Sequence, residues 1–160
     1  MLEWRLAEYG AGLVLRLTAS PAGIRSIYFH PSEPADGERN DFNPLLAETE
    51  RQLRAYFSGD LRRFELPLDL QGTSFQIRVW RQLETIPYGE LRSYAEVARA
   101  IGAPQAVRAV GAANGANPVP IVVPCHRVIG SSGKLIGYGG GLELKRRLLD
   151  LETRSLPLFA

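Results

Sequence analysis

The chain has 160 residues, 45% hydrophobic and 22% charged, which suits a globular protein with one sizeable core or two small ones. Its single cysteine, Cys125, excludes an internal disulfide, and one Cys with two His makes neither a C-x2-C zinc set nor a C-x-x-C redox pair, so no metal and no cofactor is expected. A net charge of +2 conceals an asymmetry: residues 1–70 carry 8 basic against 11 acidic side chains, residues 71–160 carry 11 against 6. The second half suits a polyanionic partner or presents a solvated basic face. With no basic-apolar leader and no long uncharged apolar run, the expectation is a cytoplasmic protein without membrane contact.

In chain order, "LEWRLAEY", "GLVLRLT" and "GIRSIYFH" are short alternating or β-branched runs separated by turn formers, and they predict an antiparallel meander. "PSEPADGERNDF" is polar and rich in turn formers, a surface loop. "NPLLAETERQLRAYFSG" predicts a helix with Pro44 at its start, Leu46, Leu53 and Phe57 on one face, and Gly59 as its stop. "RFELPLDL" alternates as a strand does. Residues 1–70 thus read as a small α/β domain without nucleophile, phosphate loop or metal set, and residues 71–160 as a second domain.

That second domain opens with "TSFQIRVWRQLETI", where Thr73 and Gln76 have capping-box spacing and Phe75, Val79, Trp80 and Leu83 share a face. Ser93 and Glu96 form a second capping box before a short helix ending at Gly102, and Pro104 sits where the next helix would begin. Two short helices about a glycine turn predict a helix-turn-helix. Its second helix, "AVRAVGAANGA", offers one long side chain, Arg108, among alanines and glycines such as Ala106, Ala109 and Ala113, so it can read little base sequence. Small residues instead permit close approach to a groove, with Arg108 as the one probe; the alternative is core packing with Arg108 as a surface charge.

Cys125 lies in "PVPIVVPCHRVIG", stiffened by Pro118, Pro120 and Pro124 and followed by His126. A lone cysteine is either a small buried hydrophobe or a nucleophile, and a free thiol of pKa about 8.5 needs a base or positive surroundings to act as one. Adjacent side chains diverge, so any proton transfer from Cys125 to His126 would run through a bridging water.

Taken together, "IPYGELRSYAEVA", "RAVGAANGANPVPIVVPCHRVIGSSG" and "GYGGGLELKRRLLDLE" closely resemble the O6-alkylguanine-DNA alkyltransferases, also called methylated-DNA-protein-cysteine methyltransferases. The resemblance is dense over roughly residues 71–152; residues 1–70 match in size and element order. It implies an α+β two-domain fold: a ribonuclease-H-like α/β domain, then a mainly helical domain with a winged-helix-like helix-turn-helix. It implies direct DNA repair, one alkyl group moved irreversibly from O6 of guanine in double-stranded DNA to Cys125, by a monomer with no obligate protein partner.

The resemblance also assigns roles. Cys125 would pass its proton through water to His126, oriented by Glu152; Tyr94 would donate toward guanine N3; Asn117 would tie the turn before the cysteine segment. Arg108 would fill the gap left by an extruded base, with Ala106, Ala109, Ala113 and Tyr94 against the minor groove. Tyr138 and Gly139 would wall the alkyl pocket, and backbone N–H groups near Val128, Ser131 and Gly139 would meet the guanine. The other readings are a noncatalytic lesion-binding relative, which would lack the cysteine; a helix-turn-helix regulator, which would need a more talkative recognition helix; and a cysteine peptidase, whose signatures are absent.

Overall fold

The three alternating runs form β1 (Glu3–Glu8), β2 (Val14–Ser20) and β3 (Gly23–Tyr28), an antiparallel meander as the sequence predicts. These and the elements below come from a computed structural model that describes residues 1–29, 31, 34–133, 135 and 137–159. The polar loop contributes a two-residue strand, β4 (Glu38–Arg39), parallel to β1, giving the order β3-β2-β1-β4; within that loop Ser32 and Glu33 lie outside the described residues.

Helix α1 (Pro44–Phe57) starts where its signals place it. Asn43 caps it, accepting from the Leu45 and Leu46 N–H groups, and Gly59 at φ 84° ends it with the paired bonds of a Schellman turn, Gly59 N–H to Tyr56 O and Asp60 N–H to Ala55 O. Its face of Leu46, Leu53, Tyr56 and Phe57 is buried, as are Leu15, Leu17 and Ile27 of the sheet.

The segment 63–70 departs from expectation. It makes one bridge, Leu68 to Ile24, rather than a strand. Pro67 has no N–H for a ladder, and its carbonyl instead accepts from Ile24 N–H at 2.8 Å. This close pass requires glycine at position 23, where φ is 152° and a Cβ would meet Pro67 O at 2.6 Å.

Residues 1–71 form one compact unit and Gly72–Leu156 another; the segment from Pro157 onward groups with the first, because Leu158 is buried there and donates its N–H to Phe57 O. In the second unit, α2 (Ser74–Leu83) and α3 (Tyr94–Ala100) both begin with complete capping boxes, Thr73/Gln76 and Ser93/Glu96. Val79, Trp80 and Leu83 are buried, and the Trp80 indole N–H reaches Ala113 O at 2.8 Å. Phe75 is half-buried.

Gly102, at φ 76°, ends α3 with a second Schellman turn: Gly102 N–H to Arg99 O, Ala103 N–H to Ala98 O. Helix α4 (Val107–Gly115) starts three residues after Pro104 rather than at it, because Pro104 occupies the second position of a turn closed by Ala106 N–H to Ala103 O. A two-stranded parallel ribbon, β5 (Arg92–Ser93) with β6 (Val128–Ile129), and the final helix α5 (Leu142–Arg154) complete the unit. Among the described residues, no helix is long and apolar enough to cross a membrane.

A Cβ at Gly102 meets nothing within 4 Å, so only backbone conformation opposes a side chain there. Gly102→Ala is expected to destabilise the helix-turn-helix by about 1 kcal/mol. Urea unfolding followed by Trp80 fluorescence measures it; unchanged stability would contradict the left-handed turn.

Candidate active site

Between α4 and Cys125 the chain is folded back twice on itself. Val122 N–H to Pro120 O closes a γ-turn that holds Ile121 at φ 74°, and Cys125 N–H to Val123 O closes an inverse γ-turn about Pro124 at φ −80°, ψ 63°. A β-branched residue at positive φ is strained by about 1–3 kcal/mol, offset here by complete burial of the Ile121 side chain. Asn117 braces the segment from outside: its Oδ1 accepts from Val119 N–H and its Nδ2 donates to Val123 O at 2.8 Å. This is the tie expected of Asn117, and it leaves Cys125 at the head of a 3-10 turn, Cys125–Arg127.

That turn and α5 meet at Glu152. From the described residues the carboxylate accepts four hydrogen bonds: Oε1 from Arg127 Nε at 2.8 Å and Gly89 N–H at 3.1 Å, Oε2 from His126 Nε2 at 2.7 Å and Arg127 Nη2 at 3.0 Å. Four donors use the lone-pair capacity of two oxygens. Burial alone would push the Glu152 carboxyl up, but the His126 and Arg127 contacts overcome it and hold it well below the ordinary carboxylate range.

Glu152 is therefore an acceptor only, so His126 must carry its proton on Nε2, and Nδ1 is the ring atom left with a lone pair. Burial lowers the His126 pKa against the raising pull of Glu152, which keeps the imidazole neutral. The arrangement is a fixed, neutral imidazole on the residue next to a thiol. Arg127 is held in turn by Ile86 O at 2.7 Å and stacks over Tyr88.

Cys125 is 5% exposed, and burial raises its pKa to about 11, against lowering by the Asn117 hydrogen bond and the Lys145 charge. It rests as a thiol. Lys145, fully buried on α5, donates to Val128 O at 2.8 Å, and burial lowers its pKa.

A cleft of about 490 Å³ opens between α4 and the loop before α5, lined by Tyr94, Arg108, Gly111, Asn114, Tyr138 and Gly139 among others. Arg108, Tyr94, Tyr138 and Gly139 thus line one cleft; Lys134 and Ile136 of that loop lie outside the described residues. The Tyr94 pKa is raised chiefly by burial, so the phenol keeps its proton. Arg108 and Ala109 are exposed on α4 and Ala106 is half-buried at its start, but Ala113 is a correction: it is 2% exposed, packed inward with its carbonyl bound by Trp80, and has no surface for a partner. Val128 is another: its N–H closes the 3-10 turn onto Cys125 O, so it is not available as a donor. Ser131 is exposed in the turn Gly130–Gly133 and does not line the cleft.

Arg127, Lys145, Gly89 and Asn114 also contact these groups, and the sequence pattern alone assigns them no role. Two signals were present: Arg127 interrupts an apolar run, and Lys145 shares a helical stripe with Leu148 and Glu152.

Two family models match the chain: 6-O-methylguanine DNA methyltransferase, DNA binding domain, over residues 74–154, and 6-O-methylguanine DNA methyltransferase, ribonuclease-like domain, over residues 14–70. The chain is 52% identical to a methylated-DNA--protein-cysteine methyltransferase of Mycolicibacterium paratuberculosis over a 162-residue alignment covering 98% of this chain and 96% of that protein. It is 56% identical to the constitutive methylated-DNA--protein-cysteine methyltransferase of Bacillus subtilis over 113 residues, 70% of this chain and 68% of that one. Among solved structures it is similar to Mycobacterium tuberculosis OGT in complex with DNA, with TM-score 0.89 and 47% identity over 97% of this chain and 95% of that chain.

The lowered pKa values of His126 and Glu152 have a stability signature. Both groups bind fewer protons folded than unfolded, so their contribution is present above the unfolded pKa values and lost on acidification. Unfolding free energy is expected to fall as pH drops below about 6.5 and again, more steeply, below about 4.3. Denaturant titrations across pH check this; stability flat from pH 7 to 4 would contradict the clamp.

Proposed function

The chain belongs to the 6-O-methylguanine DNA methyltransferase family and repairs DNA directly by alkyl transfer to a cysteine; we propose that this cysteine is Cys125, deprotonated by His126 as it attacks. The observation that carries the reading is the Glu152 carboxylate, saturated with donors, which pins the proton of His126 to Nε2 and turns Nδ1 toward the work of a base. A bridging water links the thiol to Nδ1, because neighbouring side chains diverge.

In the transfer, Sγ forms a bond to the alkyl carbon as the bond from that carbon to guanine O6 breaks. The thiol proton passes to His126, whose charged form the Glu152 carboxylate stabilises, and the released electron pair goes to the purine. Tyr94 donates toward N3, where negative charge develops. The product is a thioether. Its reversal would require a stabilised purine anion to expel a thiolate, so each molecule acts once.

The base reaches a nearly buried thiol only after leaving the stack. Arg108, exposed at the cleft among small residues of α4, supports the reading of a finger that fills the gap while α4 lies in the minor groove. The positive charge of residues 71–160 suits the phosphate backbone, and binding should weaken as salt rises.

Repaired guanine should plateau at one per protein molecule, and Cys125→Ser should abolish transfer while keeping lesion binding; a burst assay on methylated duplex reads both, and sustained turnover would overturn the assignment. Arg108→Ala and Arg108→Lys should slow repair of duplex DNA by on the order of tenfold or more while leaving transfer from free O6-alkylguanine close to the parental rate, because lysine keeps the charge but lacks the planar guanidinium. Equal slowing on duplex and free base would place Arg108 in support of the thiol instead.

A further inference from the structure

Asn114, absent from the roles assigned above, is 4% exposed on α4 and lines the same cleft as Tyr94 and Tyr138. Its Nδ2 donates to Cys125 O at 3.4 Å, and its side chain neighbours that of Tyr94. Its Oδ1 is buried with no hydrogen-bond partner among the described residues. Rotating the amide would not help, since the oxygen would then face the Cys125 carbonyl. A buried amide oxygen without a partner calls for an explanation, more so on a helix where the neighbours Ala112 and Ala113 show that a methyl group suffices for packing.

The base that enters this cleft supplies one. In O6-alkylguanine within DNA, N1, N3, N7 and O6 are acceptors, and the 2-amino group is the only donor. A lone acceptor in the pocket can pair with nothing else on the base. The 2-amino group is also next to N3, so a phenol donor and an amide acceptor carried by neighbouring side chains of one cleft match an acceptor and a donor that are adjacent on the purine edge. We propose that Asn114 Oδ1 receives the 2-amino group of the extruded base, making Asn114 a specificity-determining residue for guanine lesions. This rests on the reading that the extruded base occupies the cleft beside Cys125.

The test crosses protein with substrate, using single-turnover repair of duplexes that carry either O6-methylguanine or O6-methylhypoxanthine, which lacks the 2-amino group. The parental protein should repair the guanine lesion about tenfold faster or more. Asn114→Leu should bring the two rates within about twofold, chiefly by slowing the guanine lesion. Preference retained in the variant, with both substrates slowed alike, would make Asn114 a packing residue and overturn the proposal, as would a parental protein indifferent to the amine. Asn114→Ala carries the same comparison should the leucine variant not fold. A parental protein that repairs neither lesion would instead sink the alkyl-transfer reading itself.

Discussion

The second unit is organised around one buried carboxylate. Glu152 accepts from His126, twice from Arg127, and from Gly89 N–H, so a single side chain on α5 holds the 3-10 turn of Cys125 and the loop after α2 in fixed register. Buried charge of this kind is a weak source of net stability, because desolvation offsets most of the Coulombic gain, but removing one partner leaves the others uncompensated at a cost of about 3–5 kcal/mol. What the clamp confers is direction. A carboxylate with no capacity left and a depressed pKa cannot exchange roles with its neighbour, and the imidazole beside it is restricted to one tautomer.

The backbone before Cys125 obeys a similar logic. Two consecutive γ-turns and a positive φ at Ile121 would not persist in isolation; Asn117 on one side and the burial of Ile121 and Val123 on the other over-determine them. The thiol so placed is protonated at rest, with burial outweighing the help of Asn117 and Lys145. On the proposed mechanism a buried thiol is protected from indiscriminate reaction and becomes nucleophilic only when substrate chemistry draws its proton toward His126.

Local features of the fold were legible in the sequence because they depend on residues three or four apart. Both capping boxes, the Pro44 start and the glycine ends at Gly59 and Gly102 formed where their spacing placed them. Failures came where a proline served a different purpose: Pro104 makes a turn before α4, and Pro67 prevents a ladder that the alternation of 63–70 suggested. The site is a different case. Cys125 and His126 stand together in one motif, but Glu152 is named only by the family resemblance, and the one local mark of Arg127, a charge inside an apolar run, says nothing of its partner 25 residues away. Ala113 and Val128 owe their places to contacts that no local pattern carries: Trp80 packs on the carbonyl of Ala113, and Val128 N–H closes the turn onto Cys125 O.

The central claim is that His126 in the resting protein is a neutral imidazole with its proton on Nε2 and its lone pair on Nδ1. Nitrogen-15 NMR of histidine-labelled protein tests it directly, and with only His30 and His126 in the chain, loss of one set of signals in a His30→Gln protein assigns the other. At neutral pH His126 is expected to show a protonated Nε2 and an unprotonated Nδ1. An imidazolium, or a proton on Nδ1 with Nε2 bare, would contradict it.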